Sequence, residues 1–488
     1  MAEHLGINRR AFLKSTAGLV ALATLDLGLP GCTSSGTREK QSALRPPMSG
    51  DEQLNVAVIG LGMRGPTHIG NLGAKNNCRI LYVCDADTAR AQAGLDKART
   101  SNDGVEAKFE QDIRCVLDDK DVHIVSIATC NHWHSLAAIW AMQAGKDVYV
   151  EKPLSHNLSE GRRVVQVAEN TRRVCQHGSQ MRSSQAIIEA VKFVRDGKLG
   201  KIDVSRALCY KPRGSIGQVN EPQPPPSTVD YNLWCGPAPL APVNRAKFHY
   251  DWHWFWDTGN GDIGNQGIHE IDLARWFLGT DDMPKSVFSL GGRFGYVDDG
   301  QTPNTQIAEY DFGSGKPRVV VEVRGLKTAA YKTNGVENVV ECEHGYVVSP
   351  SYNKAIAYDR DGNVIQKFET SDEGAHFKNF LEVVRNGRIS DLNCPAIEGH
   401  RSCSMLHMAN ISYRLGMESP IGGGRPDEAV RRMWEHLSDD GVDLSRTTYM
   451  RGKPLQYDAK SETFVNDKQA NRMLTREYRA PFVVPERV

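Results

Sequence analysis

The chain has 488 residues, of which 40% are hydrophobic and 24% charged, enough apolar material for more than one core and too much for a wholly disordered chain. Lysine plus arginine and aspartate plus glutamate each number 59, so a formal net charge of zero gives no electrostatic case for a nucleic-acid partner. No CxxC pair occurs among the 11 cysteines, which argues against a zinc ribbon or a redox motif, and beyond the N-terminus no apolar run is long enough to span a membrane.

Residues 1–32 read as a targeting segment. Asn8-Arg9-Arg10-Ala11-Phe12-Leu13-Lys14 resembles a twin-arginine export signal, with Asn8 where serine or threonine is usual. The apolar stretch Ala17–Leu29 leads into Leu29-Pro30-Gly31-Cys32, which resembles a lipobox with Pro30 in place of a small residue. A lipid on Cys32 would anchor an exported protein to the cell envelope. Residues 33–52, rich in Ser, Gly, Pro and charge, read as a flexible tether.

The first strand is Leu54–Ile59, β-branched and apolar as in a buried parallel sheet. It runs into Gly60-Leu61-Gly62-Met63-Arg64-Gly65. Gly60 permits a tight turn, Gly62 lets backbone amides approach a pyrophosphate, and Gly65 lets the following helix close on the strand. That helix N-terminus, beginning with Met63 and Arg64, offers free N–H groups to phosphate. A second strand, Arg79–Cys84, ends at Asp85, 20 residues beyond Gly65, where a carboxylate binds adenosine ribose hydroxyls and repels a 2′-phosphate. The pattern therefore favours NAD over NADP.

The alternation continues through strand Val122–Ala128, the turn Thr129-Cys130-Asn131-His132-Trp133-His134, a helix over Ser135–Ala144, strand Asp147–Val150, and Glu151-Lys152-Pro153. Strand–helix–strand succession means a doubly wound parallel sheet, whose ligands lie beyond the carboxyl ends of the strands. Gly60, Asp85, Asn131 and Lys152 all fall there.

A Pro/Gly-crowded loop follows from Lys211 to about Ala246, reaching over the cleft or a neighbouring subunit. The aromatic run His249–Asp257 reads either as a sugar platform, with Trp254 and Asp257 as substrate contacts, or as a strand with alternate residues in the core. His132 and His134 with His249, His253 or His269 supply enough nitrogens for a metal, but no compact zinc spacing appears and no metal is expected. Helices are read at Gly374–Arg385 and Glu398–Leu415, and residues 416–488 carry no motif and are read as packing on a partner subunit.

In combination, these motifs resemble the Gfo/Idh/MocA family. The likeness spans residues 53 to 415 and rests on the Gly60–Gly65 turn, Asn131 and His134, Glu151-Lys152-Pro153, Gly267-Ile268-His269-Glu270-Ile271-Asp272 and Gln301-Thr302-Pro303-Asn304. It implies an α/β protein: an N-terminal Rossmann domain over residues 53–178, and over 179–415 a second α/β domain with an open, largely antiparallel sheet, followed by the extension 416–488. The family implies association through that sheet, NAD as cofactor and a carbohydrate substrate.

Carried over by position, Lys152 would face nicotinamide and substrate, and His269 would be the acid/base residue. Thr129, Asn131, His134, Glu151 and Gln180 would join the glycines and Asp85 around the cofactor. Many relatives place an aspartate four residues before the histidine, where this chain has Asn265. An amide can orient an imidazole but cannot stabilise imidazolium as a carboxylate does, so Asp257 or Asp262 is the alternative partner. Lys152 could equally be a surface turn residue and His269 a satisfied core histidine. Three functions follow: an NAD-dependent oxidoreductase acting on a sugar, polyol or glycoside; an NAD-dependent glycoside hydrolase that oxidises a sugar transiently; or a non-catalytic sugar-binding protein.

Overall fold

A computed structural model describes residues 52–422 and 427–487. The segment expected to be an export signal, Cys32 and nearly all of the expected tether lie outside the described residues.

Six strands build the first sheet: β1 Leu54–Ile59, β2 Cys78–Cys84, β3 Lys108–Glu110, β4 Ile124–Ile127, β5 Asp147–Val150 and β6 Cys175–His177. Their order is β3-β2-β1-β4-β5-β6 and every pairing is parallel, the doubly wound arrangement expected from the alternation. The order reverses between β1 and β4, which opens a crevice at the ends of these two strands. Gly60 follows one and the helix Asn131–Gln143 the other. That helix is buried on nearly every side, matching its run of Leu, Ala, Ile and Met. The two short strands β3 and β6 complete the sheet from segments too short and mixed to announce themselves.

The second sheet comprises β7 Ile202–Tyr210, β8 Ser286–Gly292, β9 Thr305–Asp311, β10 Arg318–Arg324, β11 Val336–Cys342, β12 Gly345–Ser351, β13 Lys354–Asp359 and β14 Val364–Glu369. It gains β15 Met417–Pro420, β16 Thr448–Arg451, β17 Leu455–Asp458 and β18 Thr463–Phe464 from the C-terminal residues. The path runs β14-β13-β12-β11-β7-β10-β9-β8-β16-β15, and among the described residues β7 with β10 is its one parallel pair. The helices Gln185–Arg195 and Gly267–Leu278 pack on one face through Ala190, Val194, Leu273 and Phe277.

The C-terminal residues pack on their own chain. The helix Glu428–Asp439 lays Ala429, Val430, Met433 and Leu437 over Val204, Leu290, Ile307 and Val320 on the other face of the sheet. Farther on, Phe464, Phe482 and Val484 join the main core, and the Phe482 ring meets Trp133 edge-on at 5.5 Å. Only three-dimensional proximity brings Phe482 to Trp133, some 350 residues away in sequence, so these residues pack within the chain.

A buried ionic network ties the nucleotide-binding half to the second sheet. Asp272, 1% exposed, accepts from Arg182 at 2.8 and 2.9 Å, from Ser179 at 2.7 Å and from Ser402 at 2.7 Å. Arg275 and Arg182 also reach Glu398. Asp272 lies one turn beyond His269, so this network fixes the helix that carries the candidate base.

Candidate active site

A cleft of about 490 Å³ runs from the ends of β1 and β2 to the helix Gly267–Leu278. Its floor is the glycine turn. Gly60 has φ +90°, and a Cβ there would lie 2.5 Å from the Ala128 carbonyl oxygen, so the position admits glycine alone. Gly65 faces the Gly60 carbonyl and is a packing residue, whereas Gly62, Met63 and Arg64 line the cleft. Asp85 takes the Leu61 N–H at 2.7 Å on one oxygen and the Asp87 N–H at 3.0 Å on the other. Burial raises its pKa while those amides and Arg90 oppose the rise. A glycine cradle beside an anchored acid fits NAD: Asp85 would hold the ribose hydroxyls, and the backbone around Gly62 the phosphates.

At the far end stand Glu151, Lys152, Asn265 and His269. Glu151 accepts from Arg64 Nε at 2.9 Å and from His68 Nε2 at 3.1 Å, with Gln180 Nε2 at 3.4 Å. Burial opposes its ionisation, yet the His68 hydrogen bond and the Arg64 charge hold its pKa well below the carboxylate range. An ionised carboxylate only accepts, so His68 donates from Nε2, and its Nδ1 lies 2.7 Å from the Ser126 hydroxyl. Lys152 donates its ammonium to the Asn265 carbonyl. Burial lowers the Lys152 pKa, with Glu151 opposing.

His269, 6% exposed, lines the same cleft, and its ring lies 4.9 Å from that of Tyr352. Burial first, then the Lys152 charge, keeps its pKa well below the usual value, so the imidazole is neutral. Its Nδ1 has no partner among the described residues. Asn265 does not orient it, because that amide points to Asp262 at 3.4 Å. Asp262 is itself clamped by Arg213 at 2.8 and 3.0 Å, and among the described residues no carboxylate replaces the missing aspartate at the ring.

Thr129, Asn131, His134 and Gln180 also line the cleft. His134 faces the Pro153 and Thr129 carbonyls at 2.7 and 3.0 Å, and His132 faces the Trp234 and Thr258 carbonyls at 2.9 and 3.3 Å. Main-chain oxygens thus occupy all four ring nitrogens. Asn131 bridges to Asn260 at 3.2 Å.

Two expected substrate contacts lie elsewhere. The segment Asp251–Trp254 is a 3₁₀ turn, not a strand, so its side chains fan out about every third of a turn. Trp252 and His253 reach the cleft, their rings stacked at 3.6 Å. Trp254 turns inward, 5% exposed, beneath the Arg213 guanidinium at 5.5 Å. Asp257 is exposed at a separate cavity of about 210 Å³ beside His156 and Arg476. Neither Trp254 nor Asp257 touches the cleft.

The proline-rich insertion crosses the cleft of its own chain. Val229 bridges Asp87, the Asp230 N–H reaches the Ala86 carbonyl at 2.9 Å, and His249 Nε2 meets Asp87 Oδ2 at 2.8 Å. These anchors bring Trp234 and Trp252 over the adenosine end. His68, Arg90, Lys211, Arg213, Gln266 and Tyr352 also belong to the site or its support. No spacing in the sequence marks them, because they arrive from elements scattered along the chain.

Two family models match this architecture: an NAD-binding Rossmann fold of an oxidoreductase family over residues 54–179, and that family's C-terminal alpha/beta domain over 186–311. Together they cover just over half of the chain. The chain belongs to the Gfo/Idh/MocA oxidoreductase family. An inositol 2-dehydrogenase from Salmonella typhimurium is 31% identical over 150 residues, which are 30% of this chain and 43% of that protein. A glycosyl hydrolase family 109 protein from Shewanella pealeana is 30% identical over 204 residues, 40% of this chain and 44% of that protein. The matched stretches thus span less than half the length of these Gfo/Idh/MocA relatives. The WlbA dehydrogenase from Bordetella pertussis, solved with NADH and UDP-GlcNAcA, shares the fold at a TM-score of 0.55 and 18% identity, over 74% of this chain and 97% of that one.

Proposed function

We propose that this protein is an NAD-dependent oxidoreductase that transfers a hydride between a tightly held nicotinamide cofactor and a CH–OH carbon of a sugar, polyol or glycoside. The observation that carries this reading is the meeting of Lys152 and a neutral His269 at one end of the cleft whose other end is the Gly60–Asp85 cradle. NAD, when bound, supplies the two-electron acceptor. His269 takes the hydroxyl proton at its ring, for which a neutral imidazole is required. Lys152 polarises the reacting oxygen and is positioned by the Asn265 carbonyl. The insertion over the adenosine end excludes water and slows cofactor loss, which suits an enzyme that reoxidises its cofactor in place.

The second reading is an NAD-dependent glycoside hydrolase, supported by the family 109 relative. Such an enzyme oxidises a sugar carbon, breaks the glycosidic bond and returns the hydride. Export, a lipid on Cys32, the domain limits 53–178 and 179–415, and self-association belong to the same proposal. The export signal itself carries the first. Among the described residues no helix is long and apolar enough to cross a membrane.

The deciding experiment records nicotinamide absorbance of protein purified without added cofactor while sugars and aryl glycosides are supplied, with product analysis. Stable reduction with a keto-sugar supports the oxidoreductase. Glycoside cleavage without net reduction supports the hydrolase, and cofactor binding without turnover on any sugar refutes both.

A further inference from the structure

The cleft continues past Lys152. A second cavity, of about 630 Å³, adjoins it, and Arg64, Gln180, Lys211, Gln266 and Tyr352 line both. The first cavity is the one that NAD would take, from Asp85 to His269. Substrate bulk attached to the reacting carbon therefore has the second cavity beside it.

Much of the wall of that cavity is amides and hydroxyls, with the carboxylates of Glu337, Asp372 and Glu373 also on it. Asn334, Asn338, Ser349, Ser351 and Asn353 come from β11, β12 and their flanks, with Tyr352 and Phe377 as aromatic surfaces. Amide and hydroxyl groups around an aromatic face suit a polyhydroxylated ligand. Glu270, the residue after His269, also lines it.

A second observation marks the same place. Ser184 Oγ, Glu270 Oε2, Asn338 Oδ1 and Ser349 Oγ have no partner among the described residues, and these four residues, all lining the cavity, are at most 7% exposed. Leaving one buried polar atom unpaired costs about 1–3 kcal/mol. These atoms line the cavity, so hydroxyls of a ligand seated there could pair with them.

We propose that the second cavity is a subsite for the group glycosidically linked to the sugar being oxidised, so that the substrate is a disaccharide-sized glycoside and not a free monosaccharide. This rests on the oxidoreductase reading above. The shared residues at the neck hold the linkage region, and the Asn334–Asn353 wall holds the distal sugar ring.

The test uses NAD-loaded protein and three reacting sugars, glucose, galactose and N-acetylgalactosamine, each as free sugar, methyl glycoside and disaccharide. The expected result is a kcat/KM at least about tenfold higher for a disaccharide than for its free sugar, the factor worth about 1.4 kcal/mol. Ser351→Trp, at an exposed position on the cavity wall, should bring that ratio close to one while cofactor binding and thermal unfolding stay as in the parent.

Equal kcat/KM for free and linked sugars in the parent overturns the subsite and leaves the hydride-transfer reading intact. A disaccharide advantage that survives Ser351→Trp also overturns it. If no sugar reduces the cofactor, the oxidoreductase reading fails, and calorimetric titration of the same disaccharides decides the subsite separately. Binding weakened by Ser351→Trp supports it, and absent or unchanged binding refutes it.

Discussion

Lys152, at the end of β5, donates its ammonium to the main-chain carbonyl of Asn265, four residues before His269. The contact joins the nucleotide-binding sheet to the helix of the candidate base, and it uses a backbone atom that any residue at 265 would supply. The side chain at 265 is therefore free to differ from the aspartate of many relatives without loss of the lysine's anchor.

Lys152→Ala is expected to lower hydride transfer by about 10²–10⁴-fold, the usual range for a positioned acid–base group. Cofactor affinity should change little, because Asp85 and the glycine turn lie at the other end of the cleft. Single-turnover absorbance and calorimetry would separate the two. A matching loss in NAD affinity would mean that Lys152 only holds the cofactor.

The pH profile follows from burial. His269 has its pKa held well below about 6.5, so it is already neutral at pH 7 and its protonation limits kcat/KM only on the acid side. The Lys152 pKa is lowered from 10.5, so the alkaline limb should begin below that value. A kcat/KM profile that rises through pH 6.5 with His269 intact would contradict the first assignment, and His269→Ala should remove the acid limb.

Asp272→Asn should cost up to about 3–5 kcal/mol, since Arg182, still buried, would keep Glu398 at 3.2 Å as its remaining ionic partner. Urea unfolding measures this, and a loss below about 1 kcal/mol would mean the network is replaceable. Glu398 in the same network, opposed by burial but drawn down by Arg275 and Arg182, is lowered to about 2. Its folded pKa is depressed, so its contribution is complete above the unfolded value of about 4.3. That contribution should then fade as pH drops from there towards 2.

Asp85→Ala should weaken NAD binding by about tenfold or more, through loss of a charged hydrogen-bond acceptor to the ribose. His249→Ala loosens the insertion from Asp87. It should speed NAD release more than it slows capture, which stopped-flow displacement would read. An unchanged release rate would show that the insertion covers the cleft without retaining the cofactor.

The family resemblance implied the pairing of Lys152 with His269; the sequence by itself determined the parallel sheet, the glycine turn and Asp85. Each is encoded locally: β-branched runs make buried strands, and the turn and strand-end positions have fixed spacing from them. It could not place His68 behind Glu151, since those residues are 83 apart and meet only because β1's helix crosses the end of β5. Nor could it choose which aromatic of the 249–257 run reaches the cleft. That depends on whether the backbone alternates as a strand or winds as a 3₁₀ turn, and the insertion's anchors on Asp87 and Ala86 decided for the turn, sending Trp252 to the cleft and Trp254 into the core. The C-terminal residues lacked any motif for the same reason: Phe464, Phe482 and the helix Glu428–Asp439 are defined by the surfaces they cover, and those surfaces exist only once the two sheets have formed.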